Sequence, residues 1–226
     1  RGGGGWGAGG NRTAATRTAV HNGDHDWAYE PMAYGFGGWL QVPAGRQAEG
    51  APVDALVYDR YDIWAVDPAG VRAPRELTSG YGRNEEIRLR YIELDPEAVW
   101  VSSGSMLLSG LHEPGKDAGF WSVEAFGTTP PEQLVREPKR FGRPRKAKDV
   151  DVLMYTRQDI GEFPDLWVTG MDFSDSQRLS HANPQQDGYN WATSELTTWR
   201  SLDGEVLQGL IHKPENFDPS EKYPMM

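Results

Sequence analysis

The feature that most restricts what this chain can fold into is a recurring unit of two apolar strands, a turn and a short closing segment. Its first copy runs Ala55-Leu56-Val57-Tyr58-Asp59-Arg60, then Tyr61 to Asp67, a Pro68-Ala69-Gly70 turn, and Arg75-Glu76-Leu77-Thr78. Met106 to Ser109, Gly119 to Val123 and Gln133 to Val135 make a looser second copy. Val152 to Arg157, Asp165 to Val168 and Arg178 to Ser180 make a third. The central tryptophans, Trp64, Trp121 and Trp167, stand 57 and 46 residues apart. Short β-prone runs bounded by Gly, Pro, Asp and Ser read as strands and turns, and their recurrence every about 40 to 50 residues is the signature of a β-propeller. Such a sheet cannot bury both faces alone, so the three Trp are expected as apolar filling between stacked blades. Exposed rings there would instead form a row of sugar-stacking platforms.

Composition agrees with many turns and few long helices, since the 226 residues include 27 Gly and 16 Pro. A hydrophobic content of 38% with 9 Trp, 9 Tyr and 7 Phe supplies a core and argues against disorder. A formal charge of -10 gives no electrostatic reason to expect a nucleic-acid or anionic-membrane partner. The absence of Cys excludes disulfides, thiolate metal sites and a cysteine nucleophile. No apolar run approaches the ~20 residues of a membrane helix, and the compartment, cytoplasmic or exported in a bacterium, is left open.

A change of organisation is expected between Phe163 and Gly204. Asn183-Pro184-Gln185-Gln186 is polar, and Pro184 biases Asn183 away from helix, which is the character of a linker. Beyond it, Glu195 to Ser201 alternates, Asp203-Gly204 is a hairpin signal, and Glu205 to Ile211 resumes β character, so a boundary is placed near Tyr189. Residues 1–188 are therefore expected to form the C-terminal part of a propeller, with a Gly-rich, mobile 1–20. Residues 189–226 are read as a linker and the first strands of a second domain. The glycine tract after Arg1, and an apolar strand expected to begin at Tyr223-Pro224-Met225-Met226, read as the two ends of an internal fragment.

Several constellations invite a functional reading, and each has a plainer one. His21, Asp24, His25 and Asp26 crowd metal-ligating groups into one loop, but their spacing matches no calcium or zinc motif, and a polar surface loop is preferred. Asn11-Arg12-Thr13 fits a glycosylation acceptor by chance, and Arg1-Gly2-Gly3 is a poor RNA-binding signal in an acidic chain. Glu85 and Glu86 offer two carboxylates to a substrate's free amino terminus, and between Arg83 and Arg88 they also suit a solvated, locally paired loop. The basic run Arg136 to Lys148, broken by Pro138, Gly142 and Pro144, reads as a connection into the strand at Val150. No Gly-x-Ser-x-Gly, His-Glu-x-x-His, P-loop or dinucleotide turn is present, Ser102-Ser103-Gly104-Ser105 lacks the glycines of a nucleophile elbow, and His112 and His212 have no identifiable partners.

Taken in order, these residues resemble the middle of a serine peptidase of the prolyl oligopeptidase family, in the branch of dipeptidyl-peptidase IV and acylaminoacyl peptidases. The motifs are Pro144 to Asp149, Phe163-Pro164-Asp165-Leu166-Trp167-Val168, Ala182 to Gln186, Glu195-Leu196 with Trp199, Ser201 to Gly204, Gln208-Gly209, and Lys213 to Pro219 ahead of Lys222-Tyr223-Pro224. Asp62-Ile63-Trp64 and Leu77 to Arg83 extend the match upstream, while the opening residues and Pro43 to Val53 fall outside it. The resemblance implies a mainly β chain: the last blades of a partial β-propeller, followed by the first hairpin of an α/β-hydrolase domain. It implies a parent enzyme that hydrolyses short peptides and needs no cofactor, with the propeller gating access. A homodimer of the full-length protein is left open.

In α/β-hydrolases the catalytic Ser, acid and His follow this opening, so no catalytic, cofactor or metal residue is assigned in this chain. Glu85 and Glu86 are the substrate-binding candidates. A non-enzymatic propeller binding protein or carbohydrate is the alternative, and a homologue without its nucleophile fits the same residues.

Overall fold

The structure is a computed structural model describing residues 34–46 and 53–224. The Gly-rich opening, Asn11, the His21–Asp26 loop and part of the Pro43 to Val53 insert lie outside the described residues. With 44% strand and 6% helix among the described residues, the chain is mainly β, arranged as several antiparallel sheets. No helix is long and apolar enough to cross a membrane among the described residues.

The first sheet is a meander of β1 (Gly35–Gln41), β2 (Val53–Tyr58), β3 (Ile63–Val66) and β4 (Arg75–Glu76), in that order. A second holds β5 (Ile87–Tyr91), β6 (Ser105–His112), β7 (Ala118–Glu124) and β8 (Glu132–Glu137), again in chain order. In the third, β9 (Arg140–Phe141) and β10 (Arg145–Lys146) both pair with β11 (Val152–Gln158), which pairs with β12 (Asp165–Gly170) and then β13 (Gln177–Arg178). A separate two-stranded ribbon joins β14 (Thr193–Arg200) to β15 (Val206–Lys213). Among the described residues no sheet closes into a barrel and no closed propeller is formed.

The strand pairs read from the sequence fall on the second, third and fourth strands of each sheet. What the reading missed is each sheet's first strand. In β1, Gly35-Phe36-Gly37-Gly38 looks like a loop, yet the glycines are what let it pair: the register shifts between Phe36 and Gly38, and a Cβ on Gly37 would sit 2.5 Å from the Tyr58 hydroxyl. β5 hid behind the charges of Arg88 and Arg90. The first strand of the third sheet hid inside the basic run, where Gly142 to Pro144 splits it into β9 and β10. That run is therefore an edge strand rather than a mere connection.

Contacts divide the chain into two compact units, the described residues through Glu113 with Phe120–Gln133, and Pro114–Gly119 with Leu134 onward. In the first, Leu40, Leu56 and Ile63 share one buried cluster with Ile87, Leu89, Met106, Leu108 and Trp121. β2 alternates so that Asp54, Leu56 and Tyr58 turn inward, and Arg72 neutralises Asp54 at 2.6 Å. Trp121 is fully buried, its indole N–H donating to the Tyr81 hydroxyl at 3.2 Å. It fits because residue 110 is glycine, whose Cβ would lie 2.3 Å from the Trp121 ring. Trp64, 7% exposed, packs with Val66 and Val57. In the second unit, Tyr155 stacks between Phe141 and Phe173 at 5.9 and 5.5 Å.

The first and third sheets repeat one hydrogen-bonded device. In the β2–β3 turn, Asp59 Oδ1 accepts the N–H groups of Tyr61 and Asp62 at 2.8 and 2.6 Å. In the β11–β12 turn, Asp159 Oδ1 accepts those of Gly161 and Glu162 at 2.8 and 2.7 Å. Two residues before the central Trp, Asp62 accepts the Thr78 hydroxyl at 2.7 Å and the Gly82 N–H at 2.8 Å. Asp165 likewise accepts the Ser180 hydroxyl at 2.6 Å and the Ala182 N–H at 2.7 Å. Each carboxylate thus clamps the chain leaving its closing strand to the start of the strand before it. The second sheet has Gly119 at that place, and a Cβ there would come within 1.9 Å of the Val135 carbonyl. Backbone approach replaces the clamp.

Candidate functional site

Three places could do chemistry or bind, and their groups decide between them. Glu85 and Glu86 lie just after the one-turn helix α1 (Tyr81–Asn84), itself positioned because Asp62 accepts the N–H groups of Gly82 and Arg83. Glu86 has a left-handed φ of 53° and its carbonyl accepts the Glu113 N–H at 2.9 Å. Both side chains are exposed, and neither forms an ion pair among the described residues. Arg83, expected to pair with them, turns inward to Asp59 at 3.3 Å. Its guanidinium and that of Arg60 lie 5.4 and 5.0 Å from the centre of the Tyr61 ring. Glu113 accepts from Arg60 Nη2 at 2.6 Å and from the Tyr61 hydroxyl at 3.2 Å. Burial, then the Glu113 charge, raises the Tyr61 phenol above its ordinary value.

The second place is a cavity of the second unit, walled by Arg157, Glu162, Trp167, Arg178, His181 and Gln186. β11 presents Arg157 flat over the Trp167 indole, 3.8 Å from its centre. Arg157 Nε donates to Glu162 at 2.9 Å and its Nη1 to Glu137 at 3.3 Å. Lys139 pairs with Asp159 at 2.6 Å and also with Glu162. Burial opposes the Lys139 charge, but these two partners raise its pKa overall. Part of the basic run pairs within the fold, Arg136 with Asp117 at 3.1 Å and Lys146 with Asp151 at 3.2 Å, while Arg140, Arg143, Arg145 and Lys148 are exposed. The cavity holds no nucleophile paired with a base.

The third place is the Asn183 to Trp191 stretch, read from sequence as a linker. Pro184–Gly188 forms a 3-10 turn, and Gln186, buried, reaches across to the Gly161 carbonyl at 2.8 Å. Nothing in the polar pattern distinguished Gln186 from Gln185; the signal exists only in three dimensions.

No Ser-His-acid constellation forms among the described residues. His112 ends β6, and His212 sits on β15 opposite Ser194. Ser102 merely accepts the Gly104 N–H at 3.2 Å ahead of β6. No cluster of His, Asp or Glu that could hold a metal ion is found among the described residues. Nor do Tyr223 and Pro224 begin a strand; the Tyr223 hydroxyl accepts the Asp218 N–H at 3.0 Å and its ring lies 5.0 Å from that of Phe217.

No family model matches this chain, and no curated protein matches it. Among solved structures it is similar to a variant of AtxE2 isopeptidase with an astexin bound, with a TM-score of 0.48 and 12% identity over 75% of this chain. The chain spans 24% of that protein's length.

Proposed function

We propose that this chain is the propeller and interdomain section of a serine peptidase of the prolyl oligopeptidase type, which hydrolyses short peptides. The three sheets are consecutive blades, and the β14–β15 ribbon is the first hairpin of an α/β-hydrolase domain. The section gates access to a Ser-His-Asp site that is not among these residues. The reading rests above all on one observation: an Asp turn and an Asp-hydroxyl clamp recur in the same order in the first and third sheets, the clamp in each at the Asp-x-Trp motif that carries the family resemblance. A repeat whose copies each leave a sheet face to be covered is the logic of stacked blades. The ribbon supports the second half, because Leu196, Trp199, Leu207, Leu210 and Ile211 are exposed on it, and a two-stranded ribbon is marginal without further strands or a helix against it.

A glycan- or protein-binding propeller would use the central Trp rings as platforms, and the burial of Trp64 and Trp121 weighs against that use. The coding frame downstream of these residues tests the proposal. A Gly-x-Ser-x-Gly followed by Asp and then His is expected; a frame without them contradicts it.

A further inference from the structure

The segment from His181 to Trp191 connects the third sheet to the β14–β15 ribbon, and along it Gln186 is the one residue with a buried side chain, at 7% exposure. Asn183 is half-buried, and the others are exposed, Tyr189 to 68%. Gln186 Nε2 donates to the Gly161 carbonyl in the β11–β12 turn at 2.8 Å, and its Oε1 accepts the Asn183 amide at 3.3 Å. Its backbone carbonyl accepts the Trp191 indole N–H at 2.9 Å and the Tyr189 N–H at 3.1 Å. It lines two cavities: one also walled by Arg157, Trp167 and Arg178, the other by Tyr189, Asn190 and Trp191. A side chain that lines two voids is held by its hydrogen bonds more than by close packing.

We propose that Gln186 is the latch of a detachable strap. Withdrawing it frees residues 183–191 while the two elements they join stay intact. The third sheet keeps its ladder and its Asp165–Ala182 clamp, and the ribbon keeps its own register from Thr193↔Lys213 to Arg200↔Val206. Backbone groups released in the strap are exposed and pass to water, as does the carbonyl of the exposed Gly161, so opening leaves no buried polar group unpaired. A segment with few buried contacts, joining two elements that each keep their own hydrogen-bond ladder, opens as a local unit. The ribbon itself is tied elsewhere, Gln208 Nε2 donating to the Pro114 carbonyl at 3.2 Å, so Gln186 latches the strap rather than the ribbon. This device does not depend on the peptidase reading.

Hydrogen exchange on the whole chain, followed by mass spectrometry, tests it. Gln186→Ala and the isosteric Gln186→Glu, which lacks the donor to Gly161, are expected to speed exchange in 183–191 at least tenfold, with β11 and β12 within twofold of the parent. Gln185→Ala, at the exposed neighbour, should match the parent. Unchanged exchange in 183–191 overturns the proposal, and so does acceleration that spreads equally into β11 and β12, because Gln186 would then be a core residue and not a latch.

Discussion

Asp62 and Asp165 accept the same kinds of donor at equivalent places, yet their pKa values move in opposite directions. For Asp62 burial dominates and raises the value, against the Thr78 hydroxyl and the Gly82 N–H, with nearby Asp59 adding to the rise. For Asp165 the Ser180 hydroxyl dominates; burial opposes it, and the Ala182 N–H and Arg178 reinforce it, so the value falls. The linkage signs follow. Asp165 stabilises the fold above the ordinary carboxylate range, and that contribution is lost as pH falls through its depressed value. Asp62 does the reverse, its contribution shrinking as pH rises from the ordinary Asp value through its raised one. Urea midpoints should therefore fall less between about pH 5 and pH 2.5 in Asp165→Asn than in the parent; an equal fall contradicts the assignment. Asp62→Ala strands the Thr78 hydroxyl and the N–H groups of Gly82 and Arg83, and should cost about 3 kcal/mol in urea unfolding. None of this was legible in the sequence beyond the shared Asp-x-Trp, because the partners Thr78 and Ser180 lie a strand and a turn away.

At the scale of elements, short apolar, β-prone runs bounded by turn formers exposed β2, β3, β6, β7, β11 and β12, and β3 is buried at all four positions. That signal could not expose β1, whose glycines serve a bulge and close approach, nor β9 and β10, whose Arg and Lys face solvent and pair locally. Gly119 belongs to the same lesson. Gly119→Ala drives a Cβ into the Val135 carbonyl, and the strain should destabilise the chain by about 3 kcal/mol, read as a lowered midpoint in urea. Trp121→Ala, emptying the centre of the first unit's cluster, should cost about 3 to 5 kcal/mol. Trp199→Ala should cost less than about 2 kcal/mol, because Trp199 is 48% exposed and covers Gly209 on a ribbon without a core. If both Trp variants lose the same stability, the ribbon is packed more firmly than its exposure allows.

For the whole molecule, the class was readable and the chemistry was not. Repeated strands specify a mainly β chain built of sheets, but stacking into blades depends on surfaces that periodicity does not encode. The candidate pair Glu85 and Glu86 stayed exposed while their expected partner Arg83 went to Asp59, because a buried carboxylate competes better for a guanidinium than a solvated one. Gln186, which pins the strap, and Lys139, which pairs with Asp159 and Glu162, looked like linker and loop. Under the proposed function, this section gates a peptidase whose nucleophile is not among these residues. A fluorophosphonate probe, applied in parallel to this chain and to the product of the complete reading frame, tests that claim most directly. The prediction is stoichiometric labelling of one serine in the complete protein and none in this chain; labelling of this chain, or of neither, would contradict it.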